Sequence, residues 1–203
     1  MLMPLTSIES QQLGPSSAGL RMSFEEFESH DDFEEGYRFE LIHGVLIVTP
    51  PPANSEVSSN QTLGYLLQRY RDDNPLGKCI DDTLPEQEIK TKVCLRRADR
   101  AIWIGLGRDP IPKQDIPAIV IEFVSPGKAA FYRDYEHKRD EYLEVGCQEY
   151  WVIDRFDRTM TIFRDRKVAP EVVTEQQTFK TSLLPGFELP LKGILAAGDR
   201  YTK

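Results

Sequence analysis

Cysteine is scarce: Cys79, Cys94 and Cys147 are the only three in 203 residues. An odd number at wide spacing argues against a disulfide framework and against a CxxC zinc site, and fits a reducing cytosol. Long apolar runs are missing too. No stretch approaches the ~18 residues that a membrane span requires. The first twenty residues, MLMPLTSIESQQLGPSSAGL, carry neither the basic region nor the apolar region of a signal peptide. Positive charge is not in excess, since 25 Lys and Arg stand against 33 Asp and Glu for a net charge of -8. That balance excludes a chain that coats nucleic acid through its overall charge and leaves a local basic surface as the route to such a partner. The motifs GxxxxGK[ST], GxGxxG after a strand, HExxH and GxSxG are all absent, and the histidines His30, His43 and His137 lie far apart. The expectation that remains is a soluble, cytoplasmic globular protein.

The composition, 40% hydrophobic and 29% charged, is ordinary for such a protein. At roughly 150 residues per domain the length predicts about one domain, large enough to bury about 70% of its unfolded surface. Residues 1–20, rich in Ser, Gln, Gly and Pro, read as an arm, with a single domain over 21–203. Ser23 with Glu26 forms a capping-box pattern that predicts a short helix in SFEEFESH. RFELI and VLIV flank His43-Gly44, a two-residue hairpin turn, and Pro50-Pro51-Pro52 ends the second strand. Leu63, Leu66, Leu67 and Tyr70 recur at helical spacing and predict a helix over 56–73. Residues 78–104 read as extended segments broken at Pro85 and ending in a strand over 99–104. AIVIEFVS, residues 118–125, reads as a buried central strand. A second helix is expected over 131–145, followed by the strands EYWVID and TMTIFRD and an irregular tail with apolar anchors. The alternation of strands and helices makes a mixed α/β domain.

Glu122 stands out because it is the only charge inside that apolar strand. A carboxylate there costs several kcal/mol unless it is paired, coordinated or protonated. Either it serves a site, or the strand has one wet face, or it makes a structural ion pair. Lys138 is the second anomaly. At 100° per residue it falls inside the stripe of Phe131, Tyr135, Tyr142 and Val145, so it needs either a partner, which Glu122 could supply, or a snorkelling route to water. Asp99 sits among Arg96, Arg97 and Arg100, where balancing the arginines is explanation enough. Glu40 alternates with Phe39 and Leu41 in the first hairpin strand, and solvent exposure accounts for it.

Taken together, RFELIHGVLIVTPPP, ADRAIWIG, VIEFVSP, RDYEHKRDEYLEVGCQEYWVID and LLPGFELPL resemble the Uma-type restriction endonuclease family of the PD-(D/E)XK nuclease superfamily, over about residues 24–195. The resemblance implies a restriction-endonuclease-like core, α/β of the mixed α+β type, with a central mixed sheet flanked by helices and an N-terminal hairpin. It implies a catalytic set of Glu40, Asp99, Glu122 and Lys138. Asp99 and Glu122, joined by Glu40, would hold Mg²⁺, or Mn²⁺ in its place, for hydrolysis of DNA phosphodiesters. In the superfamily's usual form the lysine stands two residues after the strand acid; that position here is Val124, so the chain resembles the branch whose lysine lies in the following helix. Three departures stand out: Ala98 replaces the proline of PD, His43-Gly44-Val45 replaces Asp-Gly-Glu, and a histidine of the following helix is replaced near Glu56. DNA would be held by Lys90, Lys92, Arg96, Arg97, Arg100, Lys128, Arg133 and Arg139, a set that equally suits a solvated strand edge. A homodimer is the common solution for cutting two strands. The alternatives are a catalytically inactive nucleic-acid-binding or regulatory module on the same fold, and a hydrolase of small phosphate esters.

Overall fold

The computed structural model describes residues 11–127 and 132–201. In chain order its main elements are α1 (Phe24–Ser29), β1 (Arg38–Ile42), β2 (Val45–Thr49), α2 (Asn54–Asp73), β3 (Ile80–Lys90), β4 (Cys94–Ile104), β5 (Ile119–Phe123), a π-helical turn (Arg133–His137) running into α3 (Lys138–Glu144), β6 (Glu149–Asp154), β7 (Thr159–Phe163), β8 (Glu171–Thr174), β9 (Thr178–Phe179), β10 (Leu189–Pro190) and α4 (Leu191–Asp199). Two compact units divide the chain: Met1–Pro51 with Val93–Arg96, and Pro52–Lys92 with Arg97–Lys203. No helix among the described residues is long and apolar enough to cross a membrane.

The first unit is built on the β1–β2 hairpin. His43 (φ 50°) and Gly44 (φ 72°) both adopt the left-handed backbone that a two-residue hairpin turn matching strand twist requires. β1 also pairs antiparallel with the first residues of β4, Leu41 opposite Leu95. The capping box of α1 is formed: Glu26 N donates to Ser23 Oγ (3.1 Å) and Ser23 N donates to Glu26 Oε2 (2.7 Å). Phe27, Phe39, Leu41, Leu46 and Leu95 make a small core that also takes in Leu13, so part of the stretch expected to be an arm is packed.

In the second unit, β4, β5, β6, β7 and β8 follow one another, with β3 also paired to β4. β5 and β6 run parallel while β4–β5, β6–β7 and β7–β8 are antiparallel, so the sheet is mixed. β5 is buried on both faces, as its apolar run predicts. On one face Ile119, Ile121 and Phe123 pack with Leu63 and Leu67 of α2 and Leu191, Ile194 and Leu195 of α4. On the other, Val120 and Val124 pack with Tyr142 of α3 and with Tyr150 and Phe163. Each such buried apolar side chain contributes about 1.5–3 kcal/mol.

Two elements differ from the sequence expectation. β3 runs through Pro85 without a break, because Glu86 takes φ 56° and absorbs the irregularity within the strand. The tail is not irregular throughout: Leu191, Ile194, Leu195 and Gly198 form the buried side of α4. That helix crosses α2 closely. A Cβ on Gly198 would lie 2.7 Å from Ser59 Oγ and 2.8 Å from the Ser55 carbonyl oxygen, so glycine and serines line the crossing.

Candidate active site

Asp99 lies on β4 and Glu122 on β5. The antiparallel register pairs Arg100 with Ile121, so the next residues along the two strands are Asp99 and Glu122. Both carboxylates are buried. Asp99 Oδ2 accepts from the Phe123 backbone N–H (2.7 Å), which ties it to β5, and its carbonyl oxygen accepts from Asn60 Nδ2 of α2 (2.7 Å).

Glu122 and Lys138 are each 3% exposed, and Lys138 Nζ lies 2.9 Å from Glu122 Oε1. The structure therefore resolves the choice that the sequence left open at Lys138. Its ammonium turns inward to the strand acid and also donates to the Arg97 carbonyl oxygen (3.3 Å). Tyr142 OH, four residues along the helix, donates to the same Oε1 (3.1 Å). These bonds load one oxygen of Glu122, and Oε2 carries no hydrogen bond among the described residues. Burial, together with the nearby carboxylates of Asp99 and Asp134, raises the Glu122 carboxyl above the ordinary range, and the Lys138 charge opposes that rise.

Lys138 is delivered by an irregular helix. The expected helix over 131–145 is instead the π-helical turn Arg133–His137 followed by α3, which begins at Lys138. Such turns are local defects that gather at functional sites. Within the turn, Asp134 is buried and paired with the Arg133 guanidinium (2.8 Å).

Phe131 lies outside the described residues, and so does Lys128. Glu40 belongs to the first unit, where it is buried rather than solvent-exposed, with Ile47 opposite it across the hairpin. Glu56, in the first turn of α2, is a buried carboxylate that accepts from Ser125 Oγ (3.1 Å).

The expected basic surface needs correction. Arg96 and Arg100 are buried. Arg100 donates to Asn60 Oδ1 (2.7 Å) and Thr83 Oγ1 (3.1 Å), so it braces α2 against the sheet and does not face a phosphate backbone. Four others stand beside acids: Lys92 with Glu144 (2.7 Å), Arg97 with Glu88 (3.0 Å), Arg133 with Asp134 and Arg139 with Asp140 (2.7 Å). Lys90 is half-buried. Glu144 is 52 positions from Lys92 and so is not visible beside it in the sequence, whereas Asp134 and Asp140 directly follow the arginines they pair with. Asp134, Tyr142 and Asn60 were missed as parts of the site; the signal for Tyr142 was its position one turn from Lys138.

The chemistry of this donor set suits a hard divalent cation. Two carboxylates at adjoining strand positions offer oxygen ligands, the preference of Mg²⁺, and one Glu122 oxygen is left over from hydrogen bonding.

Comparison with known proteins gives a solved structure of the same fold. It is the crystal structure of a putative nuclease belonging to DUF820 from Anabaena variabilis, 16% identical, with a TM-score of 0.68 over 87% of this chain and 99% of that one. No curated protein matches. A family model described as a putative restriction endonuclease, Uma2, matches residues 24–192. The order of motifs, the mixed sheet between helices and the buried strand acid joined to a helix lysine all fall within that span, and the chain belongs to the Uma2 family.

Proposed function

We propose that the protein is a metal-dependent DNA endonuclease whose chemistry lies at Asp99, Glu122 and Lys138. The observation that carries this reading is the fully buried Lys138–Glu122 pair beside Asp99. Taking two charges out of water costs several kcal/mol per ion, and an apolar pair of similar volume would serve stability as well or better. Retaining them in the middle of an apolar sheet is understandable if they do chemistry.

Asp99 and Glu122 would hold Mg²⁺, with Mn²⁺ as its substitute. A cation held there supplies a water of lowered pKa and neutralises charge on the scissile phosphate. The Asp99 carboxylate is oriented for this by the Phe123 amide, and Asn60 ties the Asp99 backbone through its carbonyl oxygen. Lys138 keeps Glu122 in one orientation and donates to charge that builds on the phosphate oxygens as the ester bond breaks. Tyr142 holds the same carboxylate oxygen and stops the side chain from rotating. Glu40 is assigned to the acidic set by the family pattern alone.

The test is a plasmid-cleavage assay at low salt with Mg²⁺, with Mn²⁺ and with a chelator. Loss of a group that merely supports a metal ligand costs 10–100-fold, so Glu122→Gln should lower the rate by about 100-fold or more. Equal cleavage by wild type and Glu122→Gln would remove the chemistry from this site. No wild-type cleavage in either metal would favour the inactive binding module.

A further inference from the structure

We propose that the β6–β7 turn, residues 154–158, holds an unpaired base of a single-stranded DNA segment against Phe156, with Arg155 facing an adjacent phosphate. The identity of the ligand rests on the nuclease reading above.

Position is the first argument. β5 and β6 are parallel, Glu122 pairs with Val152 and Phe123 with Ile153, and Val124 N donates to the Ile153 carbonyl (2.9 Å). The segment leaving β6 therefore emerges at the same carboxyl end of the sheet as the segment that follows Glu122. Carboxyl ends of parallel strands are where open α/β sheets bind ligands.

Chemistry is the second. Phe156 is 49% exposed, whereas Tyr150, Trp151 and Phe163 of the same strand pair are buried. The Arg155 guanidinium lies 4.1 Å from the centre of the Phe156 ring. Among the described residues Arg155 makes no ion pair, and its buried Nε has no hydrogen-bond partner. This contrasts with Lys92, Arg97, Arg133 and Arg139, whose charges are balanced by acids. A half-exposed aromatic ring with a guanidinium over one face, and no ion pair on that guanidinium among the described residues, suits a nucleotide: the base stacks on the ring's other face and the phosphate meets the cation.

Rigidity is the third. Asp154 Oδ1 accepts from the backbone N–H groups of Phe156 (2.8 Å) and Asp157 (3.1 Å), which fixes the turn. Its Oδ2 accepts from Tyr135 OH (3.4 Å), and Tyr135 lies in the π-helical turn that leads to Lys138. The platform is thus linked to the helix that carries the lysine, and little ordering is needed on binding. A single strand is the ligand because the faces of a base inside a duplex are already stacked.

The experiment titrates fluorescein-labelled oligo-dT and a labelled duplex, in chelator, by anisotropy. Stacking on one aromatic side chain is worth on the order of tenfold or more in affinity. Phe156→Ala should bind oligo-dT about tenfold more weakly with duplex affinity unchanged, and Phe156→Trp should restore the single-strand affinity. Arg155→Gln should flatten the dependence of log affinity on log salt by about 0.7, the value for one phosphate on a single strand. Oligo-dT affinity that is the same in wild type and Phe156→Ala, or a wild type that binds no single strand, overturns the proposal. The plasmid assay keeps the two readings apart. Cleavage that needs Glu122, with oligo-dT binding indifferent to Phe156, leaves the nuclease and removes the platform. Binding that needs Phe156 in a protein without cleavage does the reverse.

Discussion

Replacing Lys138 by Met removes the ammonium that faces Glu122 while keeping most of the volume of the stem, so little of the cost is a cavity. Three bonds or contacts change: Nζ to Glu122 Oε1 at 2.9 Å, Nζ to the Arg97 carbonyl at 3.3 Å, and the charge that opposes Asp99 and Asp134. Breaking a buried pair from one side costs about 3–5 kcal/mol when the remaining charge stays ionised. Glu122 can escape that cost by taking a proton, which makes the loss depend on pH. Its folded carboxyl sits above the unfolded value of 4.5, so its contribution to stability is full below that value and is lost as pH rises through the folded one. Lys138 is the influence that lowers the folded value, so the variant's carboxyl titrates higher still. At low pH both proteins carry a neutral Glu122 and differ only by the ammonium's hydrogen bonds. Above the wild-type range the gap opens by at most about 1.4 kcal/mol per pH unit. Urea unfolding in chelator at about pH 5 and about pH 9 measures both ends. A gap that is the same at the two pH values would show that Lys138 matters through packing, and the electrostatic argument would fall.

Gly64→Ala should destabilise the protein although alanine is worth about 1 kcal/mol more than glycine inside a helix. A Cβ at that position would lie 2.5 Å from one terminal nitrogen of Arg100, whose guanidinium is buried and bonded to Asn60 and Thr83. Displacing it leaves buried donors unmet, for a net loss of about 1–3 kcal/mol in a thermal or urea melt; a more stable variant would show the guanidinium to be mobile. Burial pushes the Cys147 thiol up to about 12, so it stays neutral and unreactive in the native protein at about pH 8, and its contribution to stability is present below the ordinary thiol range and lost as pH rises towards 12. Thiol labelling should modify half-buried Cys79 first and reach Cys147 only on unfolding; rapid native labelling of Cys147 would contradict its burial.

The reading of the candidate site from sequence worked where a residue violated its own local pattern. Glu122 breaks an apolar strand and Lys138 breaks an apolar helical stripe, and period alone places both on surfaces that fold inward. It failed at α2, whose buried residues include Ser55, Glu56, Ser58, Ser59 and Asn60. Nothing in the helical period marks such residues as interior. They are buried because α4 crosses there at close range and because Asn60 and Arg100 brace the sheet. It failed also at the basic residues, since counting lysines and arginines overlooks both the acids next to them, Asp134 and Asp140, and those that arrive from other elements, Glu88 and Glu144.

The amino-acid sequence by itself determined the strands and helices that carry the chemistry, the hairpin turn at His43-Gly44, the capping box of α1 and the two charges that needed a reason to be buried. Those are consequences of local sterics and of periodicity, which act over a few residues. Tertiary structure alone decided that Lys138 meets Glu122 and not water, that Tyr142 holds the Glu122 carboxylate and Asn60 the backbone of Asp99, and that Lys92 is neutralised by Glu144. Those outcomes depend on which side chains reach one another across tens of positions, and on how much water is left when they do.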